Sequence, residues 1–253
     1  MTQGHPLVYY GREGGGRMRR AFAAAAVLIA VLAAFGLFSL SKSRSFQLFG
    51  RLVTRVDTAE KRIALTIDDG PTERTGDILD ALASLDIPAT FFLCGNAILA
   101  RMEDAKAITA AGHAIGNHSF SHRRMVLVSY GFCAREIGDT SRLIRQAGYA
   151  GEIYFRPPNF KRLLVLPWYL KNEGITTVLA DVEPETALGF DASAEDLADY
   201  LVRRARPGSI VLMHPMYNDH SLAAIRLAVP RLRAEGYSFV TVERLIREGQ
   251  GDG

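Results

Sequence analysis

Ile63-Ala64-Leu65-Thr66-Ile67-Asp68-Asp69-Gly70-Pro71 (IALTIDDGP, residues 63–71) sets the frame for the chain. Ile63 to Ile67 is an apolar, β-prone run that reads as a strand, and Asp, Gly and Pro then end it in a turn. Runs of the same kind recur at Thr90 to Cys94, His113 to Gly116, Ile153 to Phe155, Thr176 to Leu179, Ser209 to Met213 and Ser238 to Val242, making seven in all. Between them lie segments of helical period: Gly76 to Leu85, Ile98 to Ala111, Glu136 to Ala147, Ala194 to Ala205 and Leu222 to Glu235. Several of these are closed by a glycine (Gly112, Gly148, Gly236) in the place where helices end. Strands alternating with helices build parallel sheets, either open and doubly wound or closed into a (β/α) barrel. No G-x-G-x-x-G follows the first strand, which favours the barrel, and a barrel works from the C-terminal ends of its strands.

Those ends carry the polar clusters. Asp68 and Asp69 stand side by side after the first strand, where an ordinary turn is the plain alternative. The third strand runs into Gly116-Asn117-His118-Ser119-Phe120-Ser121-His122, in which two histidines four apart can share one face of a helical turn. An Asp and two His from neighbouring strand ends form a set of O and N ligands that leaves positions open for water and substrate. The fourth strand ends in Phe155-Arg156-Pro157-Pro158-Asn159, where an arginine on a stiff turn can pair with the carboxylate a metal does not use. The fifth gives the acidic stretch Asp181-Val182-Glu183-Pro184-Glu185. The sixth ends on His214-Pro215, where a histidine is suited to protonate a leaving group.

The 253 residues have ordinary globular composition, 48% hydrophobic and 23% charged. A net charge of +3 with no basic run gives no sign of a nucleic-acid partner, and two cysteines make no disulfide framework. After a tail (residues 1–20), Ala21 to Leu40 is uncharged for 20 residues, enough at helical rise to cross a bilayer core of about 30 Å. Arg17, Arg19 and Arg20 precede it, and a stretch this long is expected to be a signal-anchor rather than a cleaved signal. Residues 41–60 are expected to link this anchor to a catalytic domain at 61–249, on the extracytoplasmic side. Lys42, Arg44, Arg51 and Arg55 weaken the charge asymmetry that would fix the orientation.

On Thr66-Ile67-Asp68-Asp69-Gly70-Pro71, His118-Ser119-Phe120-Ser121-His122, Arg156-Pro157-Pro158 and Leu212-Met213-His214, in that order, the chain resembles the polysaccharide deacetylases. This is the NodB-homology domain of carbohydrate esterase family 4. The resemblance spans about residues 61 to 245 and implies a distorted (β/α) barrel of about seven parallel strands. It implies Asp69, His118 and His122 as ligands of a divalent metal, zinc first, with cobalt or nickel compatible. It makes Asp68 the general base, Arg156 the residue that orients it, His214 the general acid, and a backbone N–H near Asn159 a stabiliser of the oxyanion. The implied activity is release of acetate from N-acetylglucosamine units of peptidoglycan or a chitin-like glycan. A silent membrane-tethered glycan-binding module and a deacetylase of a small non-carbohydrate amide or ester are the alternatives.

The chain departs from the family pattern twice. Asn159 stands where an aromatic is usual, and Asp181 to Thr186 lacks the tryptophan of the family's Asp-x-x-Asp-Trp motif. The partner of His214 is left between Asp181 and Glu183. Phe160, Trp168, Tyr169 and Tyr217 are candidate platforms for sugar rings, though packing is the commoner role of such residues.

Overall fold

A computed structural model of the chain describes residues 14–249. The chain divides between Leu40 and Ser41 into two compact units. The first holds helix α1 (Gly14–Ser41) up to Leu40, and Met18–Ser41 is long and apolar enough to cross a membrane, with no buried residue in its most apolar window. The helix takes up part of the tail expected over residues 1–20, of which residues 1–13 lie outside the described residues.

Among its described residues the second unit contains seven strands: β1 (Leu52–Val53), β2 (Arg62–Asp68), β3 (Thr90–Leu93), β4 (Ala114–Asn117), β5 (Thr177–Val178), β6 (Ile210–Met213) and β7 (Ser238–Phe239). A parallel sheet runs β4-β3-β2-β6, β1 pairs with β5, and β7 joins β2 at Arg62 and Ile63. Single bridges close the ring, Asn117 to Phe155, Phe155 to Thr177 and Val182 to Val211. The result is the distorted α/β barrel that the sequence implied.

Two strands differ from expectation. Ile153 to Phe155 makes no ladder: only Phe155 pairs, bridging Asn117 and Thr177, and the two prolines after Arg156 lack the N–H that would extend the pairing. Leu52–Val53 adds a strand inside the stretch expected to be a linker. Residues 41–60 belong to the same unit as the motifs, with Val53 in its core and Ser41 buried.

Helices α2 (Thr75–Ser84), α3 (Gly95–Ala100), α4 (Met102–Ala110), α5 (Tyr130–Gln146), α6 (Val165–Asn172), α7 (Pro184–Leu188), α8 (Ala194–Arg204), α9 (Asp219–Ala234) and α10 (Val242–Glu248) connect the strands. The single helix expected over Ile98 to Ala111 breaks at Arg101, whose φ of −137° is not helical. Helix α5 starts six residues before Glu136, because the Ser129 hydroxyl accepts from the Phe132 N–H and caps it.

Alternation along β2 decides what enters the barrel. Ile63, Leu65 and Ile67 pack outward with Phe91, Leu93, Ile115 and Met213 against the helices. Ala64 faces inward with Phe92, Val178, Ile210 and Leu212. Full burial of each outward isoleucine or leucine contributes about 1.5–3 kcal/mol, so a one-residue slip would be severely unfavourable. That register fixes Thr66 and Asp68 on the inner side with Ala64.

Candidate active site

Asp68 is the last residue of β2 and is buried. Its Oδ1 accepts from Arg156 Nη1 at 2.5 Å. Arg156 is fully buried, and the rest of its fork is satisfied. Nη1 also donates to Thr66 Oγ1 (2.7 Å), Nη2 to Leu179 O (2.9 Å) and Nε to Val178 O (3.3 Å), and the guanidinium lies 4.0 Å from the centre of the Phe92 ring. A buried ion pair is tolerable when its remaining donors are used in this way. Burial pulls the Arg156 guanidinium below its ordinary value and Asp68 pushes it back up. An arginine starts high enough to stay charged. Asp68 Oδ2 is left facing the cavity side, 3.7 Å from His118 Nε2.

Asp69 takes a left-handed backbone conformation (φ 67°), followed by Gly70 (φ 80°). A Cβ on Gly70 would meet only the flexible end of the Met216 side chain, so it is the positive φ that calls for glycine here. The turn aims Asp69 Oδ1 at His118 Nε2 (3.6 Å) and His122 Nε2 (3.3 Å). One donor atom from each of Asp69, His118 and His122 lies within 4.8 Å of the others. The histidines do not converge through a helical turn as the i, i+4 spacing led one to expect. They sit on a loop with left-handed Ser119 (φ 66°) and His122 (φ 56°). Glu136 holds that loop by accepting from Phe120 N, Ser121 N and Ser121 Oγ, and Asn117 Oδ1 accepts from Ser119 N.

The donor set fits a divalent cation. His118 Nδ1 lies 2.7 Å from Arg156 O, and a carbonyl only accepts, so Nδ1 carries the proton and the Nε2 lone pair faces Asp69. Burial lowers the His118 pKa against the pull of Asp68 and Asp69, favouring the neutral imidazole that ligates metals.

His214 follows β6. Its partner is Glu185, not Asp181 or Glu183. Asp181 is occupied in holding β6, accepting from Ser209 Oγ and Ile210 N, while Glu183 pairs with Arg44 at 2.8 Å. Pro184 opens α7 and turns Glu185 inward. The Glu185 Oε1 accepts from His214 N (2.9 Å) and Ser221 Oγ (2.5 Å). Its Oε2 and His214 Nδ1 are buried, have no other partner, and face each other at 3.8 Å, beyond hydrogen-bond length but close enough to act as charges. Burial works against the charged imidazole, yet Glu185, with Asp68 and Asp69, raises His214 above its ordinary pKa. Burial likewise works against the Glu185 carboxylate, and His214 and Ser221 more than offset it.

Asp68, Asp69, His118, His122 and His214 all line one cavity of about 340 Å³. Asn159, with its left-handed backbone (φ 52°), also lines it, as do Phe160 and Tyr217. Trp168 and Tyr169 do not: both lie on α6 and stack edge-on against Tyr130. Arg44, Glu183, Thr186, Phe190 and Leu212 complete the wall. Arg44 stands out because it comes from the stretch before the first motif, where residue spacing gives no hint of a site residue. Glu185 was within reach of the sequence, since a proline one residue earlier can open a helical turn.

The polysaccharide deacetylase family profile matches residues 55–178. The chain is 31% identical over 201 residues to the peptidoglycan-N-acetylglucosamine deacetylase of Bacillus cereus, covering 78% of this chain and 94% of that protein. The crystal structure of a peptidoglycan N-acetylglucosamine deacetylase superposes with a TM-score of 0.72 at 29% identity, over 78% of this chain and 92% of that one. A family 4 carbohydrate esterase pseudoenzyme from Bacillus anthracis superposes comparably, with a TM-score of 0.71 at 26% identity over 79% and 70% of the two chains. The barrel alone therefore does not decide activity. On the matched sequence, the shared fold and the constellation inside it, the chain belongs to the polysaccharide deacetylase family, enzymes that hydrolyse N-acetyl amide bonds in glycans.

Proposed function

We propose that this chain removes acetyl groups from N-acetylglucosamine residues of peptidoglycan in a metal-dependent reaction, with α1 holding the catalytic unit to the outer face of a membrane. One observation carries the reading: a held base, a ligand set and a partnered acid all open into the same cavity. Asp69, His118 and His122 would hold the cation, which when bound supplies Lewis-acid polarisation of the acetyl carbonyl and a more acidic water. Asp68, fixed by Arg156 through Oδ1, takes the proton of the attacking water at Oδ2. The Asn159 turn offers its backbone amide to the developing oxyanion. His214, kept protonated by Glu185, gives its proton to the departing sugar nitrogen, and acetate and the free amine result.

The outward side is supported by the nature of the substrate, a cell-wall polymer in the Bacillus cereus relative. Acetate release by the full chain from peptidoglycan, N-acetylglucosamine oligomers and O-acetylated xylan, with and without divalent ions, tests the proposal. Release from the first substrate, lost on chelation and restored by zinc or cobalt, is the expected result. Activity that survives exhaustive chelation would sink the mechanism.

A further inference from the structure

Trp168 lies on α6, outside the cavity, and is 48% exposed. It is the only tryptophan in the chain. Around it the structure gathers apolar side chains that nothing in the second unit covers. Leu164 precedes it by one turn of α6, and the edge of the Tyr130 ring meets it at 5.3 Å between centroids. The parallel bridge between Met125 and Arg162 brings the loop that carries Leu127, 90% exposed, beside the loop that carries Leu164. On the other flank Phe46, Leu48 and Phe49 are exposed, and Gly50 packs against Lys171 of α6. A soluble monomer rarely leaves so many large apolar side chains together.

Chain continuity says what covers this face. The apolar span ends at Ser41, which is itself buried in the second unit and accepts from the Arg162 N–H at 3.1 Å. The buried Arg162 side chain then holds Phe46 O, the Gln47 amide oxygen and Phe160 O. Ser41 and Phe46 are thus both held to Arg162 within the second unit. Cations edge the patch: Lys42, Arg123 and Arg124 are exposed, and Lys161 is half-buried. Burial depresses the Lys161 ammonium, and the charges of Lys42, Arg44 and Arg124 lower it further. Exposed Trp, Tyr, Phe and Leu ringed by Lys and Arg are the residues that settle at a headgroup boundary.

We infer that the face formed by Phe46, Phe49, Leu127, Leu164 and Trp168 docks on the surface of the bilayer that α1 spans. This rests on the anchor reading of α1. The loops that bear His122 and Asn159 also bear Leu127 and Leu164, so the cavity opens beside the lipid and takes glycan close to the membrane.

The lone tryptophan supplies the test. The full chain is reconstituted in phosphatidylcholine–phosphatidylglycerol vesicles and floated through a density gradient, and its emission is measured against acrylamide and against lipids carrying a doxyl quencher near the headgroup. Trp168 is expected to lose most of its emission to the shallow lipid quencher and to be shielded from acrylamide. A Leu127→Glu, Leu164→Glu variant is expected to reverse both while releasing acetate from soluble oligomers at the wild-type rate. Floated protein whose Trp168 ignores the lipid quencher overturns the docked face and leaves the anchor standing. Protein that does not float overturns the anchor and the docked face with it. Shielding from acrylamide without lipid quenching, as a bound sugar or a second copy would give, also overturns the docking.

Discussion

The cavity holds two carboxylate–cation couples built in opposite senses. In the proposed mechanism the carboxylate of Asp68–Arg156 works and the cation holds it. In that mechanism the cation of His214–Glu185 works and the carboxylate holds it. The holders differ in chemistry as well. Arg156 is fully buried, stays charged and grips its partner at 2.5 Å with three further hydrogen bonds, so it orients Asp68 at any working pH. Glu185 faces His214 across 3.8 Å and acts mainly on its protonation. One couple fixes geometry and the other sets a titration.

Removing the workers should have the largest effects. Asp68→Asn keeps the shape and the Arg156 contact but cannot take a proton. The kcat on N-acetylglucosamine oligomers should fall toward the upper end of the roughly 10²–10⁴-fold range of general base catalysis. Zinc content, read by elemental analysis, should be unchanged, and loss of the metal would mean that Asp68 is a ligand. His214→Gln should lower kcat by about 10²–10³-fold and also remove the alkaline limb of the pH profile. A His214→Gln enzyme that retains this limb would place the acid elsewhere.

Removing the holders separates geometry from titration. Arg156→Ala strands a buried carboxylate and empties the space over Phe92, so unfolding free energy should drop by roughly 3–5 kcal/mol in a denaturant titration. Activity should be lost at every pH alike. Arg156→Lys should recover part of the stability but little of the rate, because an ammonium cannot span Asp68, Thr66 and two carbonyls at once. A change in the shape of the pH profile would contradict the assignment of Arg156 to geometry alone.

What the sequence disclosed follows the same division. The barrel was legible because β2, β3 and β6 are short apolar runs whose burial nothing else satisfies. The strand-end positions of Asp68, Asp69 and His214 were legible because strand ends are where a barrel exposes polar groups. The His118–His122 pair was found by spacing, but the assumed helix was wrong: left-handed turns and Glu136 make the loop, and no periodicity announces them. Pro184 marks a helical turn that could bring Glu185 forward, but choosing it over Asp181 and Glu183 requires knowing which way that turn points. Leu52–Val53 and Arg44 were invisible for a simpler reason. A two-residue strand and a lone arginine carry too little pattern, and only the tertiary fold gives them partners.

Glu185→Gln should give the smallest effect and the sharpest distinction between the couples. The glutamine oxygen can still accept from His214 N and Ser221 Oγ, so the fold and the kcat at low pH should be nearly kept. What disappears is the negative charge that raises His214. Burial then acts with less opposition, and the folded pKa falls. The acid is active when protonated, so in wild type kcat/KM declines as pH rises through the raised folded value, and in Glu185→Gln that decline should begin at lower pH. Stability carries the same sign. A histidine raised in the folded state stabilises fully below its unfolded value of about 6.5 and loses that contribution as pH climbs through the folded value. The wild-type advantage over Glu185→Gln in thermal unfolding should therefore be greatest below about pH 6.5 and shrink above it. Equal alkaline limbs in the two enzymes would mean that Glu185 only packs the acid, and that Asp68 and Asp69 alone set its charge.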